Sequence, residues 1–207
     1  MRLRFAKCGD LRLVSHRDIM RCLERMLRRA QVPMAVTQGF NPRPKMTFAL
    51  ALGLGIEGQR EVVDLEFSEP LEPSELLSRL TRVAPPGFDW IDVRPLPANA
   101  TPPHPRTVEY CMPVLDERRA MAQSNLQSLL TSASWLLTRR RPNRESTFDL
   151  RPELVAAELT AEGLLRFRLK VSPDGSARPE ELLEALALRD LLDHGTVLTR
   201  TDVELDW

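Results

Sequence analysis

The segment formed by residues 38–45, Gln-Gly-Phe-Asn-Pro-Arg-Pro-Lys, combines side chains that could bind an anionic substrate. It places two cations, an aromatic ring and two amides close together along the chain. Basic residues interleaved with an aromatic are typical of surfaces that contact phosphate or single-stranded nucleic acid. The candidate nucleic-acid-binding residues in this loop are Gln38, Phe40, Asn41, Arg43 and Lys45. The alternative is structural, with the glycine and the prolines only shaping a turn.

A second polar segment, Ser15-His16-Arg17, precedes a stretch with helical periodicity. A serine followed three residues later by an aspartate is typical of a helix N-cap, and a helix start offers free N–H groups and positive potential. A helix that follows the first strand of a sheet can begin at the same end as a later hairpin loop. We therefore predict that Ser15, His16 and Arg17 form one surface with residues 38–45. Arg29, on the same helix, is a further candidate contact to nucleic acid.

His16 is the weak candidate for a catalytic group. A general base needs an orienting acid and a nucleophile within reach, and Asp18 lies too close along the helix to be an assured partner. A packed, hydrogen-bonded histidine is the commoner outcome for a ring one turn before Ile19. We therefore predict no catalytic residue, and catalysis by His16 is the alternative.

The remaining motifs point away from cofactor chemistry. Cys8, Cys22 and Cys111 are widely spaced and lack the spacing of metal ligands, so we expect no metal, iron–sulfur cluster or other cofactor held by this chain alone. The glycine-rich residues 53–58 lack a Lys-Ser/Thr ending and precede a strand pattern, which argues against a phosphate-binding loop. Residues 139–144 form a second basic segment, for which we favour a solvated turn.

Composition limits the function classes. The 207 residues contain 29 basic and 29 acidic side chains, so any attraction to nucleic acid must come from a local patch rather than from net charge. The N-terminus lacks an apolar signal run, and no stretch approaches membrane-spanning length. We expect a cytoplasmic protein without membrane contact.

The hydrophobic pattern predicts an α+β protein. Each half follows the order strand–helix–strands–helix–strand, which suggests two tandem ferredoxin-like half-domains, each an antiparallel sheet with helices packed on one face. Alternation predicts a strand over residues 2–7, and residues 34–37 are a further predicted short strand. Five prolines within residues 95–106 indicate a stiff linker. The predicted domains are therefore residues 1–94 and 107–207.

Several motifs resemble those of the radical-SAM-linked family, a family of unknown function. Its members occur beside, or fused to, cobalamin-binding-type radical S-adenosylmethionine proteins. The resemblance covers nearly the whole chain. The residues that carry it include Gly9-Asp10-Leu11, Leu52-Gly53-Leu54-Gly55 and Phe148-Asp149-Leu150. The specific motifs are Ser15-His16 and Gln38-Gly39-Phe40-Asn41-Pro42.

The resemblance implies a function through partners. It suggests an accessory, non-catalytic module that binds substrate for a radical-SAM protein. Because relatives are often encoded near an RNA-processing ribonuclease, RNA is the substrate class it suggests. Two alternatives stay open: an RNA-modifying or RNA-cleaving enzyme that uses His16, and a pure protein-interaction scaffold.

Overall fold

The computed structural model describes residues 1–97, 99–141, 144–172 and 175–205. The chain divides into two compact units, one comprising Met1–Pro105 with Leu205–Trp207 and the other Arg106–Glu204.

The first unit is an antiparallel sheet with two helices. Its strands lie in the order β4-β1-β3-β2, and each neighbouring pair is antiparallel. A short 3₁₀ helix, Gly9–Leu13, precedes the first α-helix. The elements are β1 (Arg2–Lys7), α1 (His16–Arg29), β2 (Met46–Phe48), β3 (Glu57–Leu65), α2 (Pro73–Thr81) and β4 (Phe88–Arg94).

Alternating burial explains how β1 and α1 build the core of the first unit. Every second residue of β1 is buried, beginning with Leu3 and Phe5. Helix α1 buries the stripe that contains Ile19, Leu23 and Leu27, whose spacing places these residues on one face. These side chains pack together with residues of β3, α2 and β4 in one hydrophobic cluster. The start of α1 is therefore held firmly against the sheet.

The second unit repeats this order with an additional hairpin. Its main strands lie in the order β10-β5-β9-β8, with β9 antiparallel to both β5 and β8, and β6 pairs only with β7. The strands are β5 (Pro105–Pro113), β6 (Leu136–Arg141), β7 (Arg144–Asp149), β8 (Leu154–Leu159), β9 (Leu164–Lys170) and β10 (Thr199–Leu205). The helices are α3 (Asp116–Thr131), α4 (Pro179–Ala185) and α5 (Asp190–Asp193).

The predicted α+β class is confirmed, with a sheet that is mostly antiparallel, and one detail differs. Residues 34–37 form only isolated bridges, Met34 with Phe67 and Val36 with Pro44, rather than a strand. The segment pairs with the chain after β3 at Met34 and with residues 43–45 at Val36, so neither pairing continues as a ladder. None of the described helices is long and apolar enough to cross a membrane.

Candidate functional site

Different parts of the first unit position the two polar segments that the sequence suggested would lie together. Helix α1 begins beyond the end of β1, where Lys7 pairs with Gly58. Residues 38–45 precede β2, whose first residue, Met46, pairs with Leu65 at the other end of β3. The helix start contacts β2 itself, since the rings of His16 and Phe48 have 5.0 Å between their centroids. Residues 38–45 are held by backbone hydrogen bonds to residues 35 and 37 and to Glu66. That the two segments form one surface stays a prediction.

Ser15 and Arg17 lie at the start of α1. The Ser15 hydroxyl accepts a hydrogen bond from the Asp18 N–H at 3.2 Å and donates one to Asp18 Oδ2 at 2.7 Å. The hydrogen bond from Ser15 lowers the pKa of Asp18, with a smaller contribution from Arg21. Ser15 is thus an N-cap, as predicted, and its hydroxyl is committed to that role. Arg17 is exposed to solvent.

His16 lines a small pocket between the start of α1 and the sheet. Its ring is half-buried and packs edge-to-face on Phe48, with 5.0 Å between ring centroids. The pocket has a volume of about 10 Å³, which is space for about one water molecule. Its walls are formed by Phe5, Lys7, His16, Ile19, Phe48, Leu50, Leu52 and Glu61.

Lys7 and Glu61 are the unusual members of this pocket, because both are almost completely buried. Their side chains are 2% and 3% exposed, and Lys7 Nζ donates a hydrogen bond to the Val14 carbonyl at 2.8 Å. A Cβ atom on Gly58 would lie only 2.6 Å from Glu61 Cγ and Oε1, so the Glu61 side chain occupies the space above Gly58. Charged side chains are rarely buried without compensation, so changing Lys7 or Glu61 should strongly affect the free energy of unfolding.

The sequence contained an indication of both buried charges. Lys7 follows Leu3 and Phe5 at intervals of two, so alternation places it on the buried face of β1. Glu61 shares a face of β3 with Val63 in the same way.

Hydrogen bonds hold the base of the loop of residues 38–45, and the tip of the loop is exposed to solvent. The Thr37 N–H donates to the Arg43 carbonyl at 2.8 Å, and the Arg43 N–H donates to the Thr37 hydroxyl at 3.1 Å. Phe40 is fully exposed, at 106% of its reference area. Gln38 and Asn41 are also exposed.

The two cations of this loop differ in their surroundings. Lys45 Nζ forms an ion pair with Glu66 at 2.8 Å. The Arg43 guanidinium is exposed and has no hydrogen bond or ion pair to any side chain that the structure describes. Arg43 is therefore the cation of the loop that can contact a ligand without breaking an existing pair.

A groove between α1 and the end of α2 brings Arg29 together with two further arginines. The groove has a volume of about 430 Å³, in the range of a small-molecule site. Arg25 and Arg29 lie one helical turn apart on α1, and Arg82 follows α2 directly. The other lining residues are Cys22, Met26, Val83, Ala84, Pro85 and Pro86.

The groove combines positive charge with an apolar lining. Within the described part of the chain, no hydrogen bond or ion pair engages the side chains of Arg25, Arg29 or Arg82. Burial raises the pKa of the Cys22 thiol, although Arg25 opposes this effect, so the thiol adds no negative charge at neutral pH. The arrangement can bind a ligand that has anionic groups and a flat or apolar body.

Sequence analysis identified Arg29 but not Arg25 or Arg82. The i, i+4 spacing of Arg25 and Arg29 shows that they share a face of α1. Arg82 joins them only because α2 packs beside α1, and that contact between helices could not be read from the chain alone.

In the second basic segment, residues 139–144, Arg139 makes structural contacts. Arg139 forms two hydrogen bonds with Glu181 at 2.6 and 2.8 Å, and its guanidinium lies 3.6 Å from the centroid of the Phe148 ring. Arg139 thus joins the β6–β7 hairpin to α4 instead of extending into a solvated turn. Pro142, Asn143 and the side chains of Arg140, Arg141 and Arg144 lie outside the described residues.

The Glu181 carboxylate should make the stability of the second unit depend on pH. Burial raises the pKa of Glu181, but hydrogen bonds from Arg139 and from the Arg178 N–H outweigh burial and leave the pKa below its ordinary value. A lowered pKa stabilises the fold above the unfolded-state value, about 4.3, and this stabilisation is lost as pH falls through the folded-state value.

We therefore expect Glu181→Gln to lower the free energy of unfolding by about 2 kcal/mol at pH 7. The difference from the native chain should shrink as pH falls below about 4.3. Urea unfolding of both proteins at several pH values measures it. A difference that stays constant down to pH 3 would show that the carboxylate charge does not contribute.

These features define an α+β protein whose first unit carries an arginine-lined groove and a separate exposed aromatic loop. Residues 1–179 match the family described as "Uncharacterized protein conserved in bacteria (DUF2344)", and the chain belongs to that family. The motif-based prediction of an uncharacterised family is confirmed to this extent. No curated protein matches the sequence. Among the residues described, no group of three or more histidine, cysteine, aspartate or glutamate side chains is arranged to hold a metal ion.

Proposed function

We propose that this chain is an accessory, non-catalytic module that binds an RNA substrate for a radical-SAM partner protein. The observation that carries the RNA assignment is the groove between α1 and α2, where Arg25, Arg29 and Arg82 surround an apolar lining without partners among the described residues. The radical-SAM partner rests on the family resemblance of the sequence motifs.

The charge distribution supports a local RNA site. The whole chain has no net charge, yet α1 contains five arginines and only two acidic residues. Arginine forms bidentate hydrogen bonds with phosphate, and its planar group also stacks on bases. A nucleotide can place its base against Met26 and Val83 while its phosphates contact the guanidinium groups. Electrostatic attraction confined to one surface suits a module that presents RNA to another protein.

We also infer that each unit is ferredoxin-like. The first unit follows the order β1-α1-β2-β3-α2-β4 with sheet order β4-β1-β3-β2. The second follows the same pattern through β5, α3, β8, β9, α4 and β10, with sheet order β10-β5-β9-β8. The β6–β7 hairpin is then an insertion after α3.

The test measures binding of a fluorescein-labelled 12-nucleotide single-stranded RNA to the purified full chain. Fluorescence anisotropy of the RNA reports the bound fraction. Three phosphate contacts predict that log K falls with log salt concentration with a slope of about −2. Poly-glutamate at equal charge concentration serves as the competitor. The absence of RNA binding at 20 mM salt would overturn the proposal, and displacement of the RNA by poly-glutamate would indicate an acidic protein as the ligand.

The partner assignment needs its own experiment. Affinity purification of the full chain from its native cells, with and without ribonuclease treatment, should recover a radical-SAM protein identified by mass spectrometry. Recovery that survives ribonuclease indicates direct contact between the proteins. A purified complex that repeatedly lacks any radical-SAM protein would contradict this part of the proposal.

A second candidate function is RNA modification or cleavage that uses His16. The observation that favours it is the pocket in which His16 lies beside a buried carboxylate, Glu61, and a buried ammonium group, Lys7. A carboxylate near an imidazole is a common arrangement for general acid–base catalysis. Incubation of RNA with the native chain and with His16→Gln separates the candidates, because only the enzyme produces a product that the variant does not.

A further inference from the structure

Among the described residues, Phe40 has the most exposed large hydrophobic side chain. It lies in a loop whose base is held by hydrogen bonds. We propose that residues 38–45 form a second RNA contact, in which Phe40 stacks on one unpaired base and Arg43 contacts the neighbouring phosphate. This inference rests on the proposed RNA-binding function, and it adds a preference for single-stranded over duplex RNA.

Hydrogen bonds at the base of the loop organise it before binding. Besides the two bonds between Thr37 and Arg43, the Lys45 N–H donates to the Ala35 carbonyl at 2.8 Å. The Ala35 N–H donates in turn to the Glu66 carbonyl at 2.9 Å, which ties the loop to the chain beyond β3. Pro42 and Pro44 restrict the backbone further. A loop fixed in this way loses little conformational freedom on binding, so an exposed ring on it can stack efficiently.

The surroundings of Phe40 favour a base over a protein pocket as its partner. Protein-binding hot spots lie within a ring of contacts that exclude water. Along the loop, the side chains of Gln38, Asn41 and Arg43 are polar and exposed, and Phe40 is its one aromatic residue. An isolated aromatic ring beside an arginine is the combination used by proteins that bind single-stranded nucleic acid.

The two cations of the loop differ in whether they already form an ion pair. Arg43 has no ion pair within the described ranges, whereas Lys45 is paired with Glu66. Stacking on Phe40 and a phosphate contact to Arg43 can therefore occur together, since both residues are exposed and lie three residues apart in one short loop. Lys45 serves as the control position for charge.

The experiment uses the full chain with a 12-nucleotide single-stranded RNA and a blunt duplex of the same length. Phe40→Ala should weaken binding of the single strand about tenfold and leave the duplex unchanged, as expected for loss of one stacked base. Phe40→Leu should behave like the alanine variant, because leucine is apolar but lacks a π-face. Phe40→Trp should bind the single strand like the native chain, because tryptophan also offers a π-face for stacking. A 2-aminopurine base in the single strand should lose fluorescence with the native chain but not with Phe40→Ala.

The charge variants provide the matched comparison. Arg43→Gln should reduce the salt slope by about 0.7, the value of one phosphate contact on a single strand. Lys45→Gln should change it much less, because Glu66 already neutralises that charge. Equal binding by the native chain and Phe40→Ala, or by the native chain and Phe40→Leu, would overturn the stacking assignment.

The outcomes separate the loop from the groove. If variants of the groove lose RNA while Phe40→Ala retains it, the proposed function stands and the loop assignment fails. If the native chain binds neither RNA, the proposed function fails and the loop assignment fails with it. If Phe40→Ala binds RNA normally but no longer recovers the radical-SAM protein from cells, the loop is a protein contact and the inference is wrong.

Discussion

Replacing Arg25, Arg29 and Arg82 together with glutamine is expected to weaken binding of single-stranded RNA about 100-fold at 0.1 M salt. Each phosphate contact contributes about 0.7 to the salt slope, so loss of three contacts should also reduce the slope by about two. The three side chains are exposed and have no hydrogen bond or ion pair in the described part of the chain. Their replacement should therefore leave the melting temperature nearly unchanged.

A charge-matched control distinguishes the groove from a general effect of net charge. Arg21, Arg94 and Arg189 are also exposed, but each is already paired with a nearby aspartate: Asp18, Asp92 and Asp193. Their combined replacement by glutamine removes the same formal charge and should change RNA affinity only a few-fold. Equal losses in the two triple variants would show that the attraction is spread over the surface rather than confined to the groove.

Glu61→Gln is expected to cause the largest loss of stability, about 3 kcal/mol in the free energy of unfolding. Glu61 and Lys7 are both buried and line the same pocket, so removing the carboxylate leaves the ammonium group with less compensation for its lost hydration. Lys7→Met should cost a similar amount. The double variant should cost less than the sum of the two, because each single change leaves one opposite charge behind.

Urea unfolding of the two single variants and the double variant measures this coupling. The control is the exposed pair of the same residue types, Lys45 and Glu66, in which Lys45→Gln should cost less than about 1 kcal/mol. Strict additivity of the Lys7 and Glu61 variants would contradict the coupling. If His16→Gln alone abolishes an RNA-dependent product while stability is unchanged, the pocket is catalytic as well as structural.

Local rules predicted the elements of the fold better than their contacts. The alternation of Leu3 and Phe5 predicted β1, and the cap at Ser15 predicted the start of α1, because these features depend on neighbours along the chain. The prediction of a strand over residues 34–37 was wrong, because Met34 and Val36 pair with two different segments rather than continuously with one. The sequence pattern also did not show that the helical segment after Pro179 ends at Ala185 and that α5 follows as a separate short helix.

The candidate site was predicted in parts but not in its arrangement. Residues 38–45 and Arg29 both carry features of the proposed site. Their relation to Ser15 and His16 depends on tertiary packing, in which His16 contacts Phe48 of β2, the strand that follows the loop. Arg82 became part of the groove only through the packing of α2 on α1. Which distant residues meet is decided by tertiary packing, and a single sequence contains little information about it.

The position of the Glu61 side chain above Gly58 limits which residues members of the family can carry at these positions. Because the Glu61 side chain lies where a Cβ on residue 58 would be, a substitution at either position alters what the other can tolerate. Relatives that carry alanine or a larger residue at position 58 should have a shorter side chain at position 61. Since Lys7 lines the same pocket, those relatives should also lack a cation at position 7. The three positions are thus expected to change together during evolution, as a linked set rather than as independent sites.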